Sequence, residues 1–362
     1  MPNVLVDPST TSTATGAVQA YLVRKALTRL ERDFQYLKFG LTTELPMQGP
    51  TVTWYRWTNL AAATSQLTLD VNPAPTWLSN GNQSATVGLW GAYVPVGESL
   101  GLYKATDPMA EIADLVGYHA ALSLDTITRN YLSGSTYTTE NMAEDNAHPS
   151  TWMSGLQGGF SFAFLSGNGN YLTYAQFASF MTISNLAFAN TDFGLNFKVI
   201  DKAVAVQRAN ATPTFEDGLY ALIVDPVSAQ QVMRDPEWQN MNQFNGRADL
   251  EAGRVAGTEL HGVKMYVTQN NFITNSSVFS VGSTTVSVAF NLLVGKEAYG
   301  VTGFKVGGSK TKTKGFEIVR KTSGPQDTSN PLSLYDTIGW KAHFIAKPLD
   351  LSRGRWITTL QA

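Results

Sequence analysis

The clearest hydrophobic pattern along the chain lies between Asp107 and Gly134. Asp107 is suited to cap a helix, Pro108 suits its first position, and Gly134 ends it. Between them one face recurs at helical spacing and comprises Ile112, Leu115, Val116, His119, Leu122, Ile127 and Tyr131. The pattern predicts a helix of about 26 residues, a rod about 40 Å long. A helix of this length is typical of an architectural spine.

Three shorter helices are also predicted. After a polar segment over 1–16, typical of a mobile arm, one apolar stripe comprises Val23, Leu27, Leu30, Phe34 and Leu37 and is followed by Gly40. Thr173 and Gln176 form a capping box that predicts a helix through Phe188. Asp225 and Pro226 open a third helix through Met233.

Strand-like alternation begins after residue 45. Residues 51–57 alternate, residues 84–96 read as one or two further strands, and Pro73, Pro75 and Gly81 interrupt the stretch between them. This pattern predicts a long two-stranded excursion. Because hairpins with little core of their own are marginal in water, it should lean on another surface of its own chain or of a partner.

The second half of the chain is mostly strands. Residues 219–224 are continuously apolar, which is typical of a strand buried on both faces. Further strands are predicted at 263–267, 284–288, 292–294, 316–319 and 340–345. Strands and helices occur in blocks without βαβ alternation, so the predicted fold class is α+β.

Composition adds that the surface is poor in charge. The chain has 362 residues, 43% of them hydrophobic and 15% charged, against about 25% charged in typical globular proteins. Interfaces between subunits are depleted in charge, so the composition fits a surface covered by copies of the same chain; an adhesive single-copy protein is the alternative. The net charge of −2 gives no general attraction to nucleic acid or to an anionic membrane.

Charge is unevenly placed along the chain. Residues 98–145 carry a local balance of −6 and residues 305–321 a balance of +5. Such asymmetry suits complementary contacts between neighbouring subunits, and solvated faces produce it as well. Cysteine is absent, so stability must come from packing and association. No apolar run approaches the ~18 residues of a membrane span, and the polar N-terminus predicts folding in the cytoplasm of the producing cell.

The residue types that carry chemistry are scattered. The four histidines, His119, His148, His261 and His343, lack the spacing of zinc ligands, and the glycine-rich stretches lack phosphate-binding spacing. Acid pairs such as Glu111 with Asp114 lack a calcium-loop pattern. The sequence therefore predicts no catalytic site, no metal and no cofactor.

Two groups of residues are candidate contact sites. Trp54, Arg56 and Trp57 form an aromatic and guanidinium cluster typical of interface anchors, with core packing as the alternative for the tryptophans. The three lysines of the second group would share one face of a strand and meet DNA phosphates or acids of a neighbouring subunit. They equally suit protection of an edge strand; they are Lys310, Lys312 and Lys314.

Eight segments, taken in order, carry a family resemblance. They are TVTWYRWT at 51–58, DPMAEI at 107–112, LDTITR at 124–129, YALIVDP at 220–226, DPEW at 235–238, GTELHGVK at 257–264, LVGKEAYG at 293–300 and TIGWKA at 337–342. Over residues 20 to 350 the chain thus resembles the major capsid protein family of the phage N4 type, a branch of the Hong Kong 97-like capsid fold of tailed phages.

The resemblance implies a fold with an N-terminal arm, an extended β loop, a peripheral domain with a long spine helix, and an axial domain. The corresponding ranges are 1–44 for the arm and its helix, 45–104 for the β loop, 105–140 for the peripheral domain, 141–255 for the axial domain with an inserted loop region, and 256–362 for strands that return to the peripheral domain and complete the axial domain. Residues 141–170 depart from the family pattern.

The resemblance also implies a function. The expected protein is a shell subunit without enzymatic activity that forms pentamers and hexamers and encloses double-stranded DNA in the virion capsid, after assembly in the bacterial host cytoplasm. Expected partners are further copies of the chain, packaged DNA, and decoration, scaffold and portal proteins, with no membrane. An encapsulin-like nanocompartment shell is the alternative. An enzyme is a further one, and His119, His261 and His343 meeting at one cleft would be its sign.

Overall fold

The computed structural model describes the following residues: 35–45, 49–57, 60, 62–64, 66, 72, 75–97, 108–133, 161–165, 171–172, 194–236, 259–260, 262–274, 280–281, 284–285, 287–306, 315–321 and 335–361. The helices within these residues are α1 (Pro108–Ser133), α2 (Phe197–Ala209) and α3 (Pro226–Arg234). The strands of the first half are β1 (Leu41–Leu45), β2 (Thr51–Trp57), β3 (Asn80–Thr86), β4 (Gly88–Gly97), β5 (Ser161–Leu165) and β6 (Tyr171–Leu172).

The strands of the second half are more numerous. They are β7 (Tyr220–Val224), β8 (Glu259–Leu260), β9 (Val263–Val267), β10 (Phe272–Thr274), β11 (Ser280–Val281), β12 (Thr284–Thr285), β13 (Ser287–Val294), β14 (Tyr299–Val306), β15 (Phe316–Lys321), β16 (Tyr335–Phe344), β17 (Ala346–Pro348) and β18 (Gly354–Gln361). Together with the helices they make the fold α+β, as the sequence predicts.

The strands form one large sheet and four smaller ones. The large sheet has the order β6-β5-β18-β13-β7-β9-β8, with β10 also paired to β13. Two three-stranded sheets have the orders β1-β14-β17 and β15-β16-β4, and β2-β3 and β11-β12 are two-stranded. The parallel pairing of β1 with β14 shows that residues 41–44, expected in the arm region, belong to a sheet.

The buried strand β7 divides the interior into two cores, because alternate side chains of a strand point to opposite faces. Tyr220, Leu222 and Val224 face a core formed with α2 and α3. Ala221 and Ile223 face a second core formed with α1, β14 and β16. The prediction of a strand buried on both sides is therefore confirmed, and Asp225 caps α3 by accepting the backbone N–H of Val227 at 2.9 Å.

Helix α1 has the predicted length, and part of its predicted face is packed: Val116 and Ile127 are buried, and Ile112 and Tyr131 pack against the main core. The small residues Ala113, Ala120 and Ala121 are buried on the same helix. Leu115 is 65% exposed and Leu122 is 41% exposed, although both were expected on the packed face. The packed side is therefore turned from the predicted one, so that buried alanines replace these two leucines in the contact.

A buried polar cluster joins α1 to the turn that precedes β1. One oxygen of Asp125 accepts the backbone N–H of Tyr36 at 2.9 Å, and the other accepts the Nδ2–H of Asn270 at 2.9 Å. Burial raises the pKa of Asp125 to about 6, although these hydrogen bonds and nearby Arg129 oppose the shift. The Tyr36 hydroxyl continues the cluster by donating to Oδ1 of Asn271 at 2.8 Å.

Other sequence expectations met different outcomes. The helix expected over 23–37 ends in residues that form a turn, 36–39, and its residues 23–34 lie outside the described residues. The helix expected over 173–188 lies wholly outside them. Helix α2 was missed, although Asn196 caps it by accepting the N–H of Val199 at 3.0 Å. The strands expected at 284–288 and 292–294 are the short β12 and the longer β13. Within the described residues no helix is long and apolar enough to cross a membrane.

Candidate intersubunit interface

The predicted two-stranded excursion is present as the hairpin β2–β3. Its register runs from Thr51 opposite Thr86 to Trp57 opposite Asn80. The described residues between its strands, and those leading into β3, are all exposed. The next strand, β4, returns to the body, where all ten of its residues pair with β16. The two-stranded excursion therefore consists of β2 and β3 alone, and β4 belongs to another sheet.

The paired strands of the hairpin are packed against their own chain. Trp54 is buried with Val52 and Ile345. A Cβ added to Gly300 of β14 would lie 2.5 Å from Cε2 and from Nε1 of Trp54, so the indole ring occupies the space beside that glycine. The side chain of Trp54 is thus packed in the interior of its own chain, which is the alternative to the predicted contact with a neighbour.

Polar contacts fix the paired strands as well, up to Arg56 near the loop end. Arg56 forms an ion pair with Asp350, which also bonds Arg353 at 3.1 Å. The ammonium group of Lys347 donates to the carbonyl oxygen of Ser84 at 2.8 Å. Burial alone would raise the pKa of Asp350, but hydrogen bonds from Ser352 and the charge of Arg56 outweigh it and hold that pKa below its ordinary value. Both hairpin strands are therefore tied to the segment between β16 and β18.

The tip of the hairpin is apolar and exposed. Trp77 is 84% exposed and Leu78 is 61% exposed, and Leu60 is exposed as well. The only charged residue among the forty at positions 58–97 is Asp70. Exposed large apolar side chains in a segment with a single charge make the tip a candidate for contact with a neighbour. The low charge of this segment is a signal that the sequence itself carries.

A second apolar surface lies on the outer face of the sheet β15-β16-β4. Tyr93 is 73% exposed, and Leu89 and Val319 are exposed on the same face. Gly339 of β16 lies between two partners in register, Tyr93 of β4 on one side and Val319 of β15 on the other. A Cβ on Gly339 would lie 2.7 Å from Cβ of Tyr93, so the glycine leaves room for the tyrosine.

The remaining predicted site residues are placed as follows. Arg56 lies near the loop end of β2 and pairs with Asp350, and Trp57 ends β2, where only its backbone is described. Lys310, Lys312 and Lys314 lie outside the described residues. Contact of any of these residues with a neighbour or with DNA stays a prediction.

The described histidines do not share a site. Nδ1 of His119 on α1 accepts the indole N–H of Trp340 at 3.1 Å, on the inner face of β16. His343 lies an odd number of positions from Trp340 along the strand, and so on the opposite face of that sheet. His148 and His261 lie outside the described residues. The described part of the chain holds no cluster of three metal-ligating side chains.

Comparison with known proteins gives a fold but no family. No protein-family model matches the chain, and no curated protein matches its sequence. The capsid of Ralstonia phage GP4 matches with a TM-score of 0.60 and 16% identity, over 91% of this chain and 92% of that one. The asymmetric unit of the cyanophage Pam1 capsid matches with a TM-score of 0.56 and 14% identity over 91% of each chain.

A third match broadens this result. The head structure of Helicobacter pylori bacteriophage KHP40 matches with a TM-score of 0.55 and 9% identity, over 86% of this chain and 85% of that one. Because the similarity runs over nearly the whole of both chains, the chain has the α+β fold found in these phage capsids.

Proposed function

We propose that the chain is the major capsid protein of a tailed phage, a shell subunit without a catalytic role. The observation that carries the proposal is the β2–β3 hairpin, whose connecting segment carries exposed apolar side chains while its paired strands are fixed by Trp54 and the Arg56–Asp350 pair. A fold shared with three phage capsids supports the same function.

The proposed mechanism is association through unlike surfaces. The hairpin tip of one subunit contacts the body of the next, and a head-to-tail contact of this kind closes into rings when the rotation permits. The outer face around Tyr93 offers apolar area for such a contact. Pentamers and hexamers built in this way form an icosahedral shell around double-stranded DNA, and each subunit is held by several neighbours at once.

Finer parts of the proposal rest on the sequence resemblance. They are membership of the phage N4 type, the division into arm, β loop, peripheral and axial domains, assembly in the host cytoplasm, and decoration, scaffold and portal partners. A DNA contact by Lys310, Lys312 and Lys314 belongs to the same group. An encapsulin-like shell is the competing function, and it differs in content, because it would hold enzyme cargo in place of phage DNA.

Electron microscopy of the purified full-length protein tests the proposal. We expect closed shells or capsomer lattices from the native sequence, and only small species from Trp77→Asp, because a charge at the tip opposes burial in a neighbour. Val227→Asp is the control. Val227 is also exposed, but it lies in the first turn of α3, where a negative charge is tolerated.

The outcomes separate clearly. Assembly by Val227→Asp without assembly by Trp77→Asp supports the hairpin mechanism, provided that both variants show native circular dichroism. A native protein that stays a small monomer at all salt and protein concentrations contradicts the shell function. Shells formed equally well by Trp77→Asp contradict the role of the tip.

A further inference from the structure

A groove lies where the turn before β1 meets the start of β7, strand β9 and the turn between β13 and β14. Three aromatic residues line it, Phe39, Phe215 and Tyr266. The ring centroids of Phe39 and Phe215 are 5.5 Å apart, and those of Phe39 and Tyr266 are 4.7 Å apart. The groove has a volume of about 350 Å³. Pockets that hold small organic molecules have about 300–1,000 Å³, so an aromatic side chain fits.

A lysine lies against the same rings. Nζ of Lys38 is 5.0 Å from the ring centroid of Tyr266 and 5.9 Å from that of Phe39. Lys38 is exposed, and no acid among the described residues pairs with its ammonium group. An ammonium group is attracted to the faces of aromatic rings, and most strongly to that of tryptophan. The groove therefore favours a further aromatic ring.

The acids of the groove do not oppose an uncharged ligand. Asp217 pairs with Lys264 at 3.2 Å, and Glu297 pairs with Arg353 at 3.3 Å. Glu216, the third acid of the lining, is exposed to solvent. An uncharged aromatic side chain can therefore enter without breaking an ion pair, whereas an acidic ligand would meet these carboxylates.

Trp77 has the complementary chemistry. At 84% it is the most exposed large apolar side chain in the described part of the chain. It lies in the segment 58–79, in which Asp70 is the only charged residue. Tryptophans that fill a pocket are typical anchors of protein interfaces. The sheet face around Tyr93 can contact the hairpin tip, but a sheet face does not enclose a ring.

The groove that receives Trp77 belongs to another subunit, because within its own chain the ring is exposed. We propose that Trp77 of one subunit inserts between Lys38 and the aromatic rings of the groove of a second copy. This inference rests on the proposed shell function and names the surface that receives the hairpin tip. Because the tip and the groove are different surfaces, the contact is head-to-tail and links successive subunits.

Disulfide trapping in the assembled full-length protein tests this contact, because the native chain has no cysteine to interfere. The test pair is Leu78→Cys with Lys296→Cys, which keeps Trp77 and places one thiol beside it and the other on the groove lining. The control pairs combine Leu78→Cys with Lys202→Cys, on the exposed side of α2, or with Tyr93→Cys. We expect the test pair to form disulfides at least about ten-fold faster than either control, because docking raises the effective concentration of the two thiols.

Gels without reductant separate the outcomes. A ladder of linked subunits from the test pair supports the inference, and Leu78→Cys with Glu216→Cys should repeat it if the first pair does not fold. Shells in which neither test pair links faster than the controls overturn the inference and leave the shell function standing, and so do shells that link fastest through Tyr93→Cys. An intramolecular disulfide also overturns it. A native chain that never assembles overturns both the inference and the shell function.

A second measurement concerns the ammonium group. Lys38→Met should raise the protein concentration needed for assembly by about two- to five-fold, because it removes the cation from the Trp77 ring. The same change should have no effect in the Trp77→Leu background, where there is no indole to contact. An equal effect in both backgrounds would contradict a contact between Lys38 and Trp77.

Discussion

The indole ring of Trp54 fills the space in which a side chain at residue 300 would stand. An added Cβ at Gly300 would lie 2.5 Å from two atoms of the ring, well inside van der Waals contact. The hairpin and the sheet β1-β14-β17 therefore meet at a position where only glycine fits.

We expect Gly300→Ala to lower the free energy of unfolding by about 1–3 kcal/mol, because overpacking forces the indole out of place. Urea denaturation measures this change. Trp54→Phe should be less damaging in the Gly300→Ala background than alone, since the two side chains share one space. Gly81→Ala is the control: its Cβ would meet only a backbone oxygen at 3.8 Å. An equal loss for both glycines would contradict the account.

The buried carboxyl of Asp125 predicts a pH dependence of stability. Its pKa in the folded state, about 6, lies above the value of 3.8 for a free aspartate because burial disfavours the charge. The folded state therefore binds more protons than the unfolded state between these values, and stability falls as the pH rises from about 4 to about 6. The size of the effect is about 3 kcal/mol.

Asp125→Asn removes this ionisation while keeping the shape of the side chain. The difference in unfolding free energy between the native protein and this variant should change across pH 4 to 6 and be flat above pH 7. Urea titrations at several pH values measure it. A difference that does not vary with pH would show that Asp125 has an ordinary pKa in the folded protein.

The ion pair of Arg56 with Asp350 should contribute a small coupling energy. Because the arginine is exposed, we expect about 0.5–1 kcal/mol from a double-mutant cycle with Arg56→Ala and Asp350→Ala. The coupling should shrink at high salt. Because the pKa of Asp350 lies below its ordinary value, the stabilisation is present above that ordinary value and is lost as the pH falls through the folded value. A coupling of zero at low salt would exclude a contribution of this pair to hairpin attachment.

Burial on α1 can be tested with one type of substitution. Leu124 is fully buried, so Leu124→Ala should lower the unfolding free energy by about 2–5 kcal/mol through lost contacts and a cavity. Leu351, half exposed in the turn before β18, should lose no more than about 0.5 kcal/mol on the same change. Similar losses at both positions would contradict the orientation of the helix.

The sequence alone determined the elements whose signals are local. The cap at Asp225, the apolar run of β7 and the boundaries of α1 depend on neighbours along the chain, and all three were predicted correctly. The hairpin was predicted from alternation interrupted by turn residues. The low charge over 58–97, where Asp70 is the single charged residue, is a further signal in the sequence and covers the connecting segment of the hairpin together with β3 and β4.

Only the tertiary structure decided which surfaces face inward. Periodicity fixes which residues share a helix face, but the partner decides which face is packed, and on α1 Leu115 and Leu122 are exposed while Ala120 and Ala121 are buried. Trp54 of the hairpin packs against Gly300, which is distant in sequence, and Arg56 pairs with Asp350. Local energies select helices and strands, whereas long-range packing selects the faces they bury, and no single stretch of sequence carries that second choice.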